Sequence, residues 1–173
     1  MEPLSRLRRA GLAAAAASLA GLVPLRGEAL EAPVGKVILV VSGAIAQRNS
    51  PDGASFDLAG LARLPATSFV TRTPWYSEPR RFTGVLLREL LDAVGAHGTT
   101  LTATALNDYR AQIPLADVAT EDLLLAYHLD GDEMAVRDKG PLVLIYPFDA
   151  KKSLRTAVYY SRAVWQLHHL DLR

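Results

Sequence analysis

Cysteine is absent from all 173 residues. Disulfides, thiolate nucleophiles and thiolate metal ligands are excluded together. Histidine is scarce, with four in the chain. His168 and His169 are neighbours on a predicted strand, where adjacent side chains leave by opposite faces, so no chelating pair is expected. His97 and His128 stand alone, and an all-protein zinc site is not expected. There is no Gly-x-Ser-x-Gly elbow and no glycine loop able to cradle a phosphate. Asp108, Asp117, Asp130, Asp132 and Asp138 are scattered singly, without the pairing a glycosidase needs. No internal repeat or low-complexity tract follows the alanine-rich front.

Nor does charge of one sign dominate. The formal net charge is +1, but Arg6, Arg8, Arg9 and Arg26 all fall in the first 29 residues. Without Met1 to Ala29, fifteen basic residues face sixteen acidic ones. A global basic footprint for nucleic acid is lacking, and no nucleic-acid partner is expected. Residues 1–29 read as a cleavable export signal: a positive start, an apolar alanine-rich run from Ala10 to Val23, and small residues at Gly27 and Ala29. The run is shorter than the roughly 20 residues of a spanning helix. An uncleaved anchor is the alternative, and Arg8-Arg9 hints at twin-arginine export. The expected location is the periplasm. Residues 30–173, with half of the whole chain apolar, suit one domain with a real core.

Within that domain, Val37 to Val41 is a β-branched apolar run and predicts the first strand. Gln47 to Gly53 is a polar loop. Asp57 is placed to cap a short helix with Leu58, Leu61 and Leu64 on one face, stopped by Pro65. Ser68 to Thr73 is β-prone, and Tyr76 to Arg81 reads as a connecting loop. Leu86, Leu87, Leu90, Leu91 and Val94 recur at helical spacing, with Gly95 as the residue past the helix end. Thr100 to Ala105 alternates as a half-buried strand does, Pro114 to Ala119 fits one helical turn, and Leu123 to Tyr127 is another strand. Asp130-Gly131 is turn chemistry, with Gly131 free to take positive φ. Leu142 to Tyr146 runs apolar without alternation, as a strand covered on both faces does, and Pro147 ends it. Lys151 to Tyr160 is ambiguous. Val164 to Leu172 predicts a last strand with Val164, Gln166, His168 and Leu170 on one face.

Three loop clusters at strand ends remain as site candidates: Thr71, Arg72, Thr73 and Trp75; Asn107, Asp108 and Tyr109; and Arg137, Asp138 and Lys139. A flat heterocycle would use such groups. Trp75 or Tyr109 can stack on it, an aspartate can accept paired hydrogen bonds from an aminopyrimidinone edge, and arginine can hold a phosphate or ring oxygen. Each cluster also has a plain reading: a buried Trp75, a turn at Asn107-Asp108, and a solvated turn at Arg137 to Lys139.

These segments resemble the sulfite-oxidase-type molybdopterin-binding oxidoreductase domain. The resemblance rests on Phe82-Thr83-Gly84-Val85 before the paired leucines, Tyr109 with Ile113-Pro114, and Leu124 with Ala126. It continues with Asp130-Gly131, Lys139-Gly140-Pro141, Tyr146-Pro147 and Ser161 to Trp165. It implies an α+β fold, a single mixed-sheet domain over residues 30–173. Family enzymes hold molybdenum through a cysteine in or near the strand that here carries Thr71, and a neutral hydroxyl is a poor replacement. The chain resembles more closely a small exported, cysteine-less branch with Thr-x-Thr-Pro-Trp, Leu-Asn-Asp-Tyr and Arg-Asp-Lys-Gly-Pro motifs. That branch includes the PruR-like periplasmic pterin-binding proteins. The resemblance implies a reduced pterin without molybdenum as ligand, bound by the three clusters. It also implies the periplasmic domain of an inner-membrane cyclic di-GMP or kinase signalling protein as partner. Arg80 and Arg81 stand in the loop just beyond Trp75, which would follow Trp75 if it closed over a ligand, and are expected on or near that partner's surface. The alternative is a molybdenum-cofactor oxidoreductase using molybdopterin, its metal held by the dithiolene alone or by Thr71.

Overall fold

The computed structural model describes residues 30–173, so the expected export signal lies outside the described residues. Among the described residues, ten strands form two five-stranded sheets. The first contains β1 (Leu39–Gly43), β2 (Ala54–Phe56), β5 (Thr100–Ala105), β6 (Arg110–Pro114) and β10 (Leu167–Leu172), ordered β2-β1-β10-β5-β6. Its β1–β10 pair is parallel and the rest antiparallel, so the sheet is mixed. The second is antiparallel: β3 (Ala66–Thr71), β4 (Arg80–Leu86), β7 (Leu124–Leu129) and β8 (Asp132–Glu133) in order, with β9 (Val143–Ile145) pairing the other half of β7. A bridge between Leu144 and Val164 joins the end of the second sheet to the lead into β10.

Local chemistry accounts for the helices. In α1 (Leu58–Ala62), the Asp57 carboxylate accepts the Gly60 N–H at 2.7 Å, the N-cap expected from its position. The same carboxylate accepts the N–H groups of Val34 and Gly35 at 3.0 and 2.7 Å, so one side chain fastens the entry strap to α1. In α2 (Leu87–Ala93), Leu87, Leu90 and Leu91 are buried, and Gly95 takes φ +59° just past the end. Helices α3 (Leu115–Thr120) and α4 (Ala157–Arg162) follow β6 and precede β10. An ion pair of Arg162 with Asp117 at 2.5 Å ties them together, and the buried Tyr146 hydroxyl donates to the same carboxylate at 3.3 Å.

Strand β4 needs Gly84. A Cβ there would lie 1.9 Å from the Leu125 carbonyl oxygen, at the bulge where β4 meets β7. Leu142 to Phe148 is entirely buried, as its unbroken apolar pattern predicts. Asp130 and Gly131 both take positive φ in the β7–β8 turn.

Three expectations change. Arg80 and Arg81 begin strand β4 rather than continue a loop, so the connection ends at Pro79. The last strand begins at Leu167: Gln166 takes φ +51° and breaks the run. A bulge between Leu167 and His169 then turns Leu167, Leu170 and Leu172 inward; of the face expected, Val164 and Leu170 are buried, and Gln166 and His168 are not. The His168 and His169 rings lie 6.2 Å apart. Among the described residues no histidine or carboxylate cluster suited to a metal ion occurs.

Candidate functional site

The site is built where four segments converge. Thr71 ends β3, and the chain leaves through Arg72, Thr73 and Pro74 to Trp75. The β5–β6 hairpin brings Asn107 and Tyr109 across from it. Its turn is held by the Asp108 N–H on the Ala105 carbonyl at 3.0 Å and the Tyr109 N–H on Asn107 Oδ1 at 3.2 Å, with Asp108 at φ +64°. Helix α4 contributes Tyr160, and the segment after it contributes Ala163, Trp165 and Gln166. The Tyr109 hydroxyl donates to the Ser161 carbonyl at 2.6 Å, locking the hairpin against α4.

Together Trp75, Asn107, Tyr109, Tyr160, Trp165 and Gln166 line a cavity of about 300 Å³. Trp75 and Trp165 meet edge to face, with centroids 4.4 Å apart at 85°. Tyr160 lies edge-on to Trp75 at 5.9 Å, and Phe148 backs both. Such contacts fix ring orientation and leave flat surface for another ring. Both tryptophans of the chain are therefore in this wall.

A second cavity, of about 280 Å³, shares Tyr160 with the first and is lined by Arg72, Thr73, Pro74, Asp149 and Arg155. Asp149 is its hub. Its carboxylate accepts the Arg72 N–H at 2.8 Å and Arg155 Nη2 at 2.7 Å, and its own N–H donates to Thr71 Oγ1 at 3.0 Å. Two guanidinium groups against one carboxylate leave this cavity positive.

Lys139 sits behind the aromatic wall, its Nζ 5.1 Å from the Trp165 ring and 5.4 Å from the Tyr76 ring. Arg80 also lies over the Tyr76 ring, at 4.8 Å, and pairs with Asp130. Burial pushes the Tyr76 hydroxyl above its usual range, opposed by the Arg80 charge. The Arg81 N–H holds the Asp130 carboxyl below its usual range, with the Arg80 side chain adding to it.

Of the sequence candidates, Trp75, Asn107 and Tyr109 share the aromatic cavity, and Arg72 and Thr73 line the positive one. Lys139 touches the wall from outside. Thr71 is fully buried, and its hydroxyl is engaged with the Asp149 N–H and the Arg72 carbonyl. Asp108 is exposed at the hairpin tip. Arg137 and Asp138 are exposed on a short 3₁₀ turn, 3.4 Å from each other, and line neither cavity. Sequence reasoning missed Tyr160, Trp165, Gln166, Asp149 and Arg155 as site residues. The Tyr159-Tyr160 pair in the ambiguous segment was the available signal; Gln166 carried none.

The family model described as the oxidoreductase molybdopterin binding domain matches residues 57–150. That is more than half of the chain. The protein belongs to this family. The match runs from the α1 cap to just past Asp149 and contains the loop at Thr71, the hairpin at Asn107 and the turn at Lys139. Tyr160 and Trp165, which close the groove, lie beyond it. A comparison with curated proteins finds no match.

Membership in the molybdopterin-binding family implies a pterin-type cofactor. The groove fits its organic part: aromatic walls, amide side chains at Asn107 and Gln166, and a neighbouring positive cavity. It does not fit a metal held by the chain. No cysteine exists, and the Thr71 hydroxyl is neutral, buried and already hydrogen-bonded.

Proposed function

We propose that this protein is an exported pterin-binding module that holds its ligand without a protein ligand to molybdenum, and that it is a sensor rather than a catalyst. The observation carrying this reading is Thr71. It stands on the strand where the resemblance places a metal-binding cysteine, and its hydroxyl is committed to the backbone of Asp149. The aromatic cavity, at about 300 Å³, falls at the small end of the roughly 300–1,000 Å³ typical of small-ligand sites.

In this reading the ring lies against Trp75 and Trp165, with Tyr109 and Tyr160 closing the sides. Asn107 and Gln166, rather than Asp108 and Asp138, face the aminopyrimidinone edge, because both residues line the cavity; Asn107 Oδ1 already accepts the Tyr109 N–H and Gln166 Nε2 donates to the Val136 carbonyl, so the other atom of each amide is the one offered. The proposed partner is the periplasmic domain of an inner-membrane signalling protein, which rests on the resemblance alone. A ligand signals only through differential affinity for two states, and the loop from Thr71 to Trp75 is the element that would differ.

The two tryptophans provide the test. Titrating purified, ligand-stripped protein with a reduced pterin should quench intrinsic fluorescence saturably at one pterin per chain. Adenosine, which lacks the aminopyrimidinone edge, should quench weakly. Equal, non-saturating quenching by both would remove the pterin assignment.

A further inference from the structure

Strand β3 is the one long sheet edge that the described residues leave bare. Natural sheets blunt their edges with charge, proline, brevity or a covering element, because an open edge pairs with other strands. The other edges follow that rule. β2 has three residues, β8 has two and both are acidic, and β6 carries Arg110, ends in Pro114 and packs against α4. β3 is six residues long and reads Ala-Thr-Ser-Phe-Val-Thr, with no charge and no proline.

Its free groups can be assigned. The Arg81 N–H donates to Asp130 Oδ1 and the Arg81 carbonyl accepts the Asp130 N–H, both at 2.8 Å, so Arg81 turns its backbone toward β7. Val70 pairs opposite Arg81 in the β3–β4 ladder. Its N–H and carbonyl therefore point away from β4, and by strand alternation so do those of Ser68 and Ala66. Among the described residues none of these groups has a hydrogen-bond partner in another segment. Ala66, Ser68 and Val70 are all exposed, Val70 at 47%.

We infer that β3 is a self-association edge, pairing antiparallel with β3 of a second copy of this chain about a two-fold axis at Ser68. The strand is self-complementary in that register. Ser68 faces the partner's Ser68, Val70 faces the partner's Ala66, and Phe69 faces the partner's Thr67. Large residues thus meet small ones on both faces, and no like charges are opposed. The pairing is isologous and uses each copy's bare edge, so it closes at a dimer rather than growing into a fibre. One strand pair buries less than the roughly 1,200 Å² of a standard interface, so the dimer is weak and concentration-dependent.

Sedimentation velocity of the purified protein over a concentration series is the test. The wild type should move from monomer to dimer as concentration rises. Val70→Pro removes an outward N–H without touching the β4 ladder and should weaken the dimer at least tenfold, with far-UV circular dichroism unchanged. Ser68→Lys and Ser68→Glu are exposed changes that do not threaten folding. Each alone should be monomeric, and their equimolar mixture should recover the dimer. A wild type that stays monomeric at the highest attainable concentration overturns the inference. So does a dimer that survives both Ser68 variants.

Discussion

Thr71 and Asp149, 78 residues apart, are joined by the Asp149 N–H donating to Thr71 Oγ1 at 3.0 Å, while the Asp149 carboxylate takes the Arg72 N–H at 2.8 Å. This reciprocal pair sets where β3 ends and where the loop to Trp75 begins. Thr71, expected among the ligand-binding residues, is the post on which the loop to Trp75 turns. Thr71→Val keeps the shape and deletes the acceptor, leaving the part-buried Asp149 N–H unpaired. The expected cost is about 1–3 kcal/mol in denaturant unfolding. Ligand affinity should fall with it, since the Arg72 corner loosens.

Trp75 tests the groove itself. Its ring packs on Trp165, Tyr160 and Phe148 and forms one wall of the aromatic cavity. Trp75→Leu keeps an apolar filler but removes the stacking face. Stacking of a base-like ring on an aromatic side chain contributes about 1–3 kcal/mol. Pterin affinity in a calorimetric titration should therefore drop on the order of tenfold to a hundredfold.

Arg80 and Arg81 should separate in their effects. Arg80 is joined to the groove through Tyr76, whose ring is 6.2 Å from that of Trp165. The Arg81 side chain is exposed and reaches neither cavity. Arg80→Glu should weaken pterin binding by roughly threefold to tenfold, the scale of one lost cation–π contact. Arg81→Glu should leave pterin binding unchanged and weaken only association with a membrane partner. Identical pterin affinity in both variants would show that Tyr76 does not transmit the change.

Asp57 gives the pH dependence. Backbone N–H groups of Gly35 and Gly60, with Val34 adding to them, hold its carboxyl below the ordinary aspartate value of 3.8. A folded-state value below the unfolded one means its stabilisation is fully present above pH 3.8. It is lost as pH falls through 3.8 toward the lower folded value. Asp57→Asn cannot ionise and offers an amide where donors converge. The variant should be less stable than wild type at neutral pH, and the gap should narrow below pH 3.8 in melting experiments.

Much of the scaffold is legible where one local rule dominates. The Asp57 cap, the alternation of β5 and, from Leu87 on, the leucine spacing of α2 match the residues that form them, whereas Leu86 ends β4. Strand β4 is hidden because Gly84 interrupts its β-prone run, and the reason for that glycine is the Leu125 carbonyl across the sheet. β6 is hidden by its outward Arg110 and Gln112 and by its terminal Pro114. The groove is half legible. Trp75, Asn107 and Tyr109 stand in recognisable loops, but Tyr160 and Gln166 come into place only through the Arg162–Asp117 pair and the Gln166 turn. Arg137 and Asp138 look like a ligand rim from charge and position, and in space their turn faces solvent.

The most direct measurement is the pterin and molybdenum content of the same purified sample, by acid extraction with pterin fluorescence and by elemental analysis. A chain that binds a pterin and offers no ligand to molybdenum should yield near-stoichiometric pterin and no molybdenum. Molybdenum near one atom per chain, or extracts empty of pterin across several growth conditions, would contradict it.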